Sequence, residues 1–181
     1  GNAIDPLELV SRYGRDALRY FLLRELAFGE DGDFSREKFH NRYQSDLANG
    51  LGNFTARVLA MAHKMNSLPF VDVDPSFAQA IHAARETVFS SCARGRFHDA
   101  LFGIWELISF GDRYINMHKP WERGGDISSI TQLVLLLEAL GDILDPFLPD
   151  AAAVIQSAIV RDDSNRVFLI ESRPVLFPRI S

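Results

Sequence analysis

Residues 126–144 read DISSITQLVLLLEALGDIL, a run that starts with an aspartate and then stays apolar at most positions. Asp126 is a typical N-cap residue, because its carboxylate can accept hydrogen bonds from the free N–H groups of a helix's first turn. A helix without a polar face normally lies at the centre of its bundle. Glu138 and Asp142 interrupt the apolar run, which stays shorter than the ~20 residues of a membrane span. The segment therefore predicts the central helix of an all-α helical bundle.

Further helices are predicted upstream of this segment. Asp5, Ser35 and Asp74 are candidate N-caps, each followed by apolar residues at helical spacing. Gly50 and Gly52 weaken the helix that follows Ser35, so a kink or a joint between two helices is expected there.

Downstream, the chain predicts one more helix and then a tail. Residues 151–160 are predicted to form a last short helix, after the breaks at prolines 146 and 149. Residues 166–170 and 175–180 could be extended, with prolines between and within them.

Composition restricts the class of protein. The chain has 181 residues, 47% of them hydrophobic, which is enough for a single core. One cysteine, Cys92, excludes a disulfide framework and any cysteine-based zinc site. The net charge is −5, but residues 57–123 carry eight Lys/Arg against seven Asp/Glu and four of the five histidines. A phosphate-bearing partner would therefore prefer the middle third of the chain.

Motifs for catalysis are absent from the sequence. It contains neither a phosphate-binding Walker loop nor an HExxH metal motif. Asp31 and Asp33 lie in a glycine-containing stretch and are interpreted as turn formers, and Cys92 as a small core residue. We expect no catalytic residue and no metal site, and interpret the chain as a binding or structural module.

One group of residues could read a nucleobase. Asn53 and Arg57 are four apart and share a helix face, which Met61 and Lys64 extend. Trp121 follows Pro120 where a helix ends, so its indole can sit at a rim. An aromatic ring beside an amide and a guanidinium suits single-stranded RNA, whose bases stack on the ring and present their edges. In the structural alternative, Trp121 covers the hydrophobic core and Asn53 serves only to kink the helix.

Several motifs resemble the C-terminal part of methionyl-tRNA synthetases, which are class I aminoacyl-tRNA synthetases. The run DALRYFLL is shared by several class I synthetases, whereas the DGDFS, SDLAN-x-LGN and LFPRI runs are more particular to the methionine enzymes. They span nearly the whole chain, at residues 13–14 (YG), 16–23 (DALRYFLL), 31–35 (DGDFS), 45–53 (SDLANGLGN), 120–121 (PW) and 176–180 (LFPRI).

This resemblance implies three regions. Residues 1–35 resemble a stem-contact segment that follows the family's KMSKS loop, residues 36–160 resemble the α-helical anticodon-binding bundle, and residues 161–181 resemble a tail that packs back on the earlier part. The family's catalytic domain has no counterpart here. We therefore expect no ATP, magnesium or methionine site in this chain and no aminoacylation by the chain alone. The start of the chain favours truncation of a longer enzyme over a separate anticodon subunit.

The resemblance also implies roles for single residues. Asn53, Arg57 and Trp121 match the positions that recognise the first base, cytosine, of the CAU anticodon. Asn116 matches a supporting position. From charge alone, further candidates for phosphate contact are Lys64, His118, Lys119 and Arg123.

The expected partners are methionine tRNA and the catalytic domain of the same enzyme, in the cytoplasm and without a membrane. Two alternatives stay open at this stage. One is a purely structural bundle that packs on a catalytic partner and buries Trp121. The other is the anticodon-binding domain of another class I synthetase, such as that for leucine or cysteine.

Overall fold

The computed structural model describes residues 5–25, 34–122 and 125–180. The candidate residue Arg123 lies outside these residues. So does most of the stretch around Asp31 and Asp33, which were interpreted as turn formers. The helices are α1 (Pro6–Tyr13), α2 (Arg15–Glu25), α3 (Arg36–Arg42), α4 (Asn53–His63), α5 (Pro75–Cys92), α6 (Phe97–His118), α7 (Ile127–Leu144) and α8 (Pro149–Ala158). A π-helical segment, Tyr43–Gly52, connects α3 to α4, and the short strands are β1 (Leu68–Pro69), β2 (Ile159–Asp162) and β3 (Val167–Ile170).

The predicted N-caps are confirmed. At each of four helix starts, the side chain of the capping residue accepts a hydrogen bond from a backbone N–H of the first turn. These bonds satisfy donors that have no partner within the helix. The capping residues are Asp5, Ser35, Asp74 and Asp126.

The central helix of the bundle is α7, as its sequence predicts. It packs against α4, α5, α6 and α8, and most of its residues are buried on all sides. By length and mean hydropathy α7 could cross a membrane, although it contains two acidic residues. Its 72% burial within the protein identifies it instead as a core helix.

A kink or a joint between two helices was expected at Gly50 and Gly52. The structure instead has the π-helical segment there, which is wider than an α-helix and runs without a break into α4. Gly52 keeps helical angles, φ −63° and ψ −47°, while the N–H of Asn53 donates to the carbonyl of Ala48, five residues back. Such i→i−5 bonding defines a π-helix, which is rare and frequent near functional sites. The segment ends where α4 begins, and so it positions the first turn of α4.

The C-terminal residues lie on this π-helical segment. Phe177 is 8% exposed and packs edge-on against Tyr43, with ring centroids 6.1 Å apart. The Tyr43 hydroxyl donates to the carbonyl of Pro178 at 2.8 Å. Gly52 lies beside this contact, and a Cβ there would be in ordinary van der Waals contact with Phe177, 3.7 Å from its Cβ.

A small antiparallel sheet, in the order β1-β3-β2, accompanies the helices. β3 coincides with the first predicted extended segment, and the expected boundary between residues 160 and 161 falls inside β2. Residues 175–180 form no strand, because prolines lack the N–H groups that a strand ladder needs.

The N-terminal helices are joined to the bundle through α2. The side chain of Asp16 accepts from the N–H of Ala151 at 2.8 Å, in the first turn of α8. Arg19 donates to the carbonyl of Phe147 at 2.9 Å, and Tyr20 donates to Asp46 of the π-helical segment at 2.7 Å. Helix α2 therefore contacts both the α7–α8 turn and the segment that precedes α4.

Candidate nucleic-acid interface

Helix α4 carries the first two predicted site residues. Asn53 is exposed, whereas the Arg57 side chain, one turn later, is 31% exposed. Phe54 is fully buried beside them. The buried face of α4 thus anchors the helix while its outer edge presents an amide and a guanidinium.

Two residues of α6 hold the Arg57 guanidinium. Its Nη1 donates to Asp112 Oδ1 and its Nη2 donates to Asn116 Oδ1, each at 2.8 Å. The pKa of Asp112 is raised because the carboxyl is partly buried, although Arg57 pulls it in the opposite direction. The guanidinium plane is therefore fixed from one side, and one of the two residues that hold it is the candidate supporting residue Asn116.

The bond between Arg57 and Asp112 depends on a close approach of α4 to α6. At Gly111, the residue before Asp112, a Cβ would lie 2.5 Å from the Phe54 ring. Only glycine leaves room for the ring there. Sequence analysis missed both residues, and the one available signal was the i, i+4 spacing of Asp112 and Asn116 on one face of α6.

Trp121 lies just beyond the end of α6. Lys119 ends that helix in the left-handed conformation, at φ 44°, and the carbonyl of the buried Pro120 accepts from the N–H of Asp126 at 2.8 Å. The indole is 46% exposed, and so it is no core lid. By contrast, Trp105 is half-buried and packs on Tyr20, with ring centroids 4.6 Å apart.

A cleft of about 250 Å³ connects Trp121 with α4. Met61, one turn beyond Arg57 on α4, lies in its wall, whereas Asn53 and Arg57 are not among the lining residues. The residues that line the cleft are Met61, Lys64, Met65, Trp121, Gly125 and Ile130. Met65 was another residue that sequence analysis did not select.

The basic candidates differ in their exposure and in their partners. Lys64 lines the cleft and is exposed. His118 is exposed and stacks on Tyr114 with ring centroids 4.0 Å apart. The ammonium of Lys119 lies 3.6 Å from a Glu122 carboxylate oxygen. Lys64 and His118 are therefore better placed for phosphate than Lys119.

The side chains at this surface offer hydrogen bonds and an aromatic face. Within residues 5–25, 34–122 and 125–180, no group of three or more His, Cys, Asp or Glu could hold a metal ion. Cys92 is half-buried on α5, and burial raises the pKa of its thiol. An exposed indole, a fixed guanidinium and a free amide suit a stacked base whose edge is read by hydrogen bonds.

Comparison with known proteins points to one family. A sequence model described as "tRNA synthetases class I (M)" matches residues 1–59. The chain is 38% identical over 163 residues to the methionine–tRNA ligase of Caldanaerobacter subterraneus subsp. tengcongensis, covering 83% of this chain and 26% of that relative. It is 36% identical over 181 residues to the methionine–tRNA ligase of Brucella melitensis, covering 93% of this chain and 35% of that relative.

The fold comparison agrees. The crystal structure of the apo form of Mycobacterium tuberculosis methionyl-tRNA synthetase matches with a TM-score of 0.83 and 26% identity, over 100% of this chain and 42% of that chain. The chain spans about a quarter to a third of the length of these two curated relatives.

Proposed function

The chain belongs to the methionyl-tRNA synthetase family, and from this premise we propose that it recognises the CAU anticodon of methionine tRNA. The observation that carries the proposal is the arrangement around the cleft. Arg57 is fixed by Asp112 and Asn116 at 2.8 Å each, and the half-exposed Trp121 lines a cleft with Met61 and Lys64, which follow Arg57 at helical spacing along α4. The exposure of Trp121 argues against a purely structural bundle.

In this proposal Trp121 stacks on the first anticodon base. The indole offers a face to a base that the loop has turned outward, an interaction that tolerates any base. Stacking alone therefore gives affinity without choice. The choice of cytosine comes from the groups that meet the edge of the ring.

Arg57 and Asn53 supply that choice. Two of the five guanidinium N–H donors are used by Asp112 and Asn116, and the rest can donate to the acceptor atoms N3 and O2 of cytosine. Uracil carries a hydrogen on N3, so a donor of Arg57 would face another donor. Uracil is rejected because that hydrogen bond cannot form. The Asn53 carbonyl can accept from the cytosine amino group.

The same proposal assigns the remaining parts of the reaction elsewhere. ATP, magnesium and methionine would bind the catalytic part of such an enzyme, in the cytoplasm, and this chain would hold the tRNA so that its acceptor end reaches that part. Lys64 and His118 would meet phosphates of the anticodon loop.

The test is a Trp121→Ala variant titrated with a CAU hairpin. Loss of a stacked base costs about 1–3 kcal/mol, so the affinity should fall by roughly 5- to 150-fold. Trp105→Phe is the matched control, because Trp105 packs on Tyr20 and lines no part of the cleft. Equal affinity of wild type and Trp121→Ala would exclude this role for the indole.

A further inference from the structure

All three methionines of the chain lie near Trp121. Met61 and Met65 line the Trp121 cleft. Met117 lies in the last turn of α6, four residues before Trp121, and is 77% exposed. The chain of 181 residues has only these three, so two of its three oxidisable thioethers lie in one cleft.

Among them, Met65 combines access with a place in the wall of the cleft. Met61 is 7% exposed, whereas Met65 is half-buried. The Met65 terminal methyl packs on Gly125, where a Cβ would lie 2.7 Å away. Because Gly125 closes that side, any atom added to the sulfur must take space from the cleft or push its wall apart.

We propose that Met65 is an oxidative modification site whose product, methionine sulfoxide, weakens base binding in the Trp121 cleft. The oxidant is a peroxide. One peroxide oxygen is transferred to the thioether sulfur while the O–O bond breaks; the sulfur loses two electrons and hydrogen peroxide is reduced to water. The effect on base binding rests on the proposed function, whereas the modification itself does not.

The sulfoxide changes the cleft chemically. Oxidation turns a flexible apolar side chain into a polar and chiral one. The new oxygen needs a hydrogen-bond donor, and the exposed ammonium of Lys64 borders the same cleft. A sulfoxide that binds the Lys64 ammonium would hold it away from the phosphates of the anticodon loop. The base would also lose an apolar contact, because the Met65 side chain has become polar.

The solvent exposure of the three methionines determines the sequence in which peroxide should oxidise them. Met117 should be oxidised first, with little effect on binding through the cleft, then Met65, and Met61 last. Cys92 is the competing peroxide target. Burial raises the pKa of its thiol, which leaves less of the reactive thiolate.

The experiment uses the chain in a Cys92→Ala background. It is treated with dilute hydrogen peroxide, the reaction is stopped with catalase, and each methionine is assayed by peptide mass spectrometry. Binding of a labelled CAU hairpin is measured in parallel. We expect affinity to fall by about tenfold, within the range for a lost stacked base, in step with oxidation of Met65. Methionine sulfoxide reductases should restore it.

Two variants separate the methionines. Met65→Leu, whatever its affinity before treatment, should bind equally well before and after peroxide, whereas Met117→Leu should lose affinity on treatment as the wild type does. Unchanged affinity with Met65 fully oxidised, or equal loss in Met65→Leu, would overturn the proposal. So would a Met65 that stays reduced in the folded protein.

Failure of the proposed function gives a different result. The untreated chain would then not bind the hairpin, and the modification is judged by Trp121 emission in a Trp105→Phe background. A change in emission that follows Met65 oxidation and is absent in Met65→Leu supports the modification site in the cleft. Unchanged emission at full Met65 oxidation overturns it.

Discussion

Replacing Gly111 with alanine tests whether the close approach of α4 and α6 holds the reading face in place. The added Cβ would lie 2.5 Å from Cε2 and 2.6 Å from Cζ of the Phe54 ring. Carbon atoms in contact stay about 3.5–4.0 Å apart, so the helices must separate by roughly 1 Å. Phe54 is fully buried, and its ring cannot turn into solvent.

The cost can be worked out from two opposing effects. Overpacking a core costs about 1–3 kcal/mol, whereas alanine gains about 1 kcal/mol over glycine inside a helix. We expect Gly111→Ala to lower the free energy of unfolding by at most about 2 kcal/mol. Moving α4 away from α6 should lengthen the 2.8 Å hydrogen bond between Arg57 and Asp112, because Asp112 directly follows Gly111. A loosened guanidinium should weaken CAU hairpin binding by about fivefold or more.

Urea unfolding and hairpin titration measure the two effects on the same protein. Gly103→Ala is the matched control, since its Cβ would meet Thr87 of α5 at 2.7 Å, where α6 packs on α5 and not on α4. It should lose stability and bind normally. Wild-type binding by Gly111→Ala, or an equal loss of binding in Gly103→Ala, would refute the reasoning. Shortening Phe54 to leucine in the Gly111→Ala protein should restore binding.

Three further predictions follow from single contacts. Arg57→Lys should weaken hairpin binding about tenfold, because a point charge cannot span both acceptors on α6, and should change thermal stability little. Asp126 caps α7, and its bonds in the first turn lower the pKa of its carboxyl. A lowered pKa adds stability above the ordinary value of 3.8, which is lost as the pH falls through the lowered pKa. Asp126→Ala should therefore cost about 1 kcal/mol at pH 7, and its difference from wild type should vanish in urea unfolding at strongly acidic pH. Phe177→Ala should cost about 3 kcal/mol and release the tail from Tyr43, seen as faster trypsin cleavage after Arg179.

Local patterns predicted much of the fold. The all-round apolar run of α7 determines its central place, and Asp126 marks its start, because both depend on residues within one helix. The spacing of Asn53 and Arg57 likewise puts them on one face of α4 from sequence alone. Resemblance to a family added Asn116 and implied an anticodon role for Asn53, Arg57 and Trp121.

Features that depend on packing were not predictable in this way. Asp112 is 55 residues from Arg57, and their pairing exists only because Gly111 lets α6 lie against Phe54. The π-helical segment has the residues of an ordinary helix with two glycines, and nothing in that pattern distinguishes i→i−5 from i→i−4 bonding. The strands contain only two to four residues, too few for alternation to show.

We propose above that this chain reads the cytosine of the CAU anticodon. The most direct measurement is a low-salt titration with a CAU hairpin and with the same hairpin carrying uracil in place of that cytosine, followed by tryptophan fluorescence. Low salt is needed because the net charge of −5 gives little counterion-release drive. We expect the CAU hairpin to quench the tryptophan fluorescence and to bind at least about tenfold more tightly than the uracil hairpin. Equal affinity for the two hairpins would contradict it.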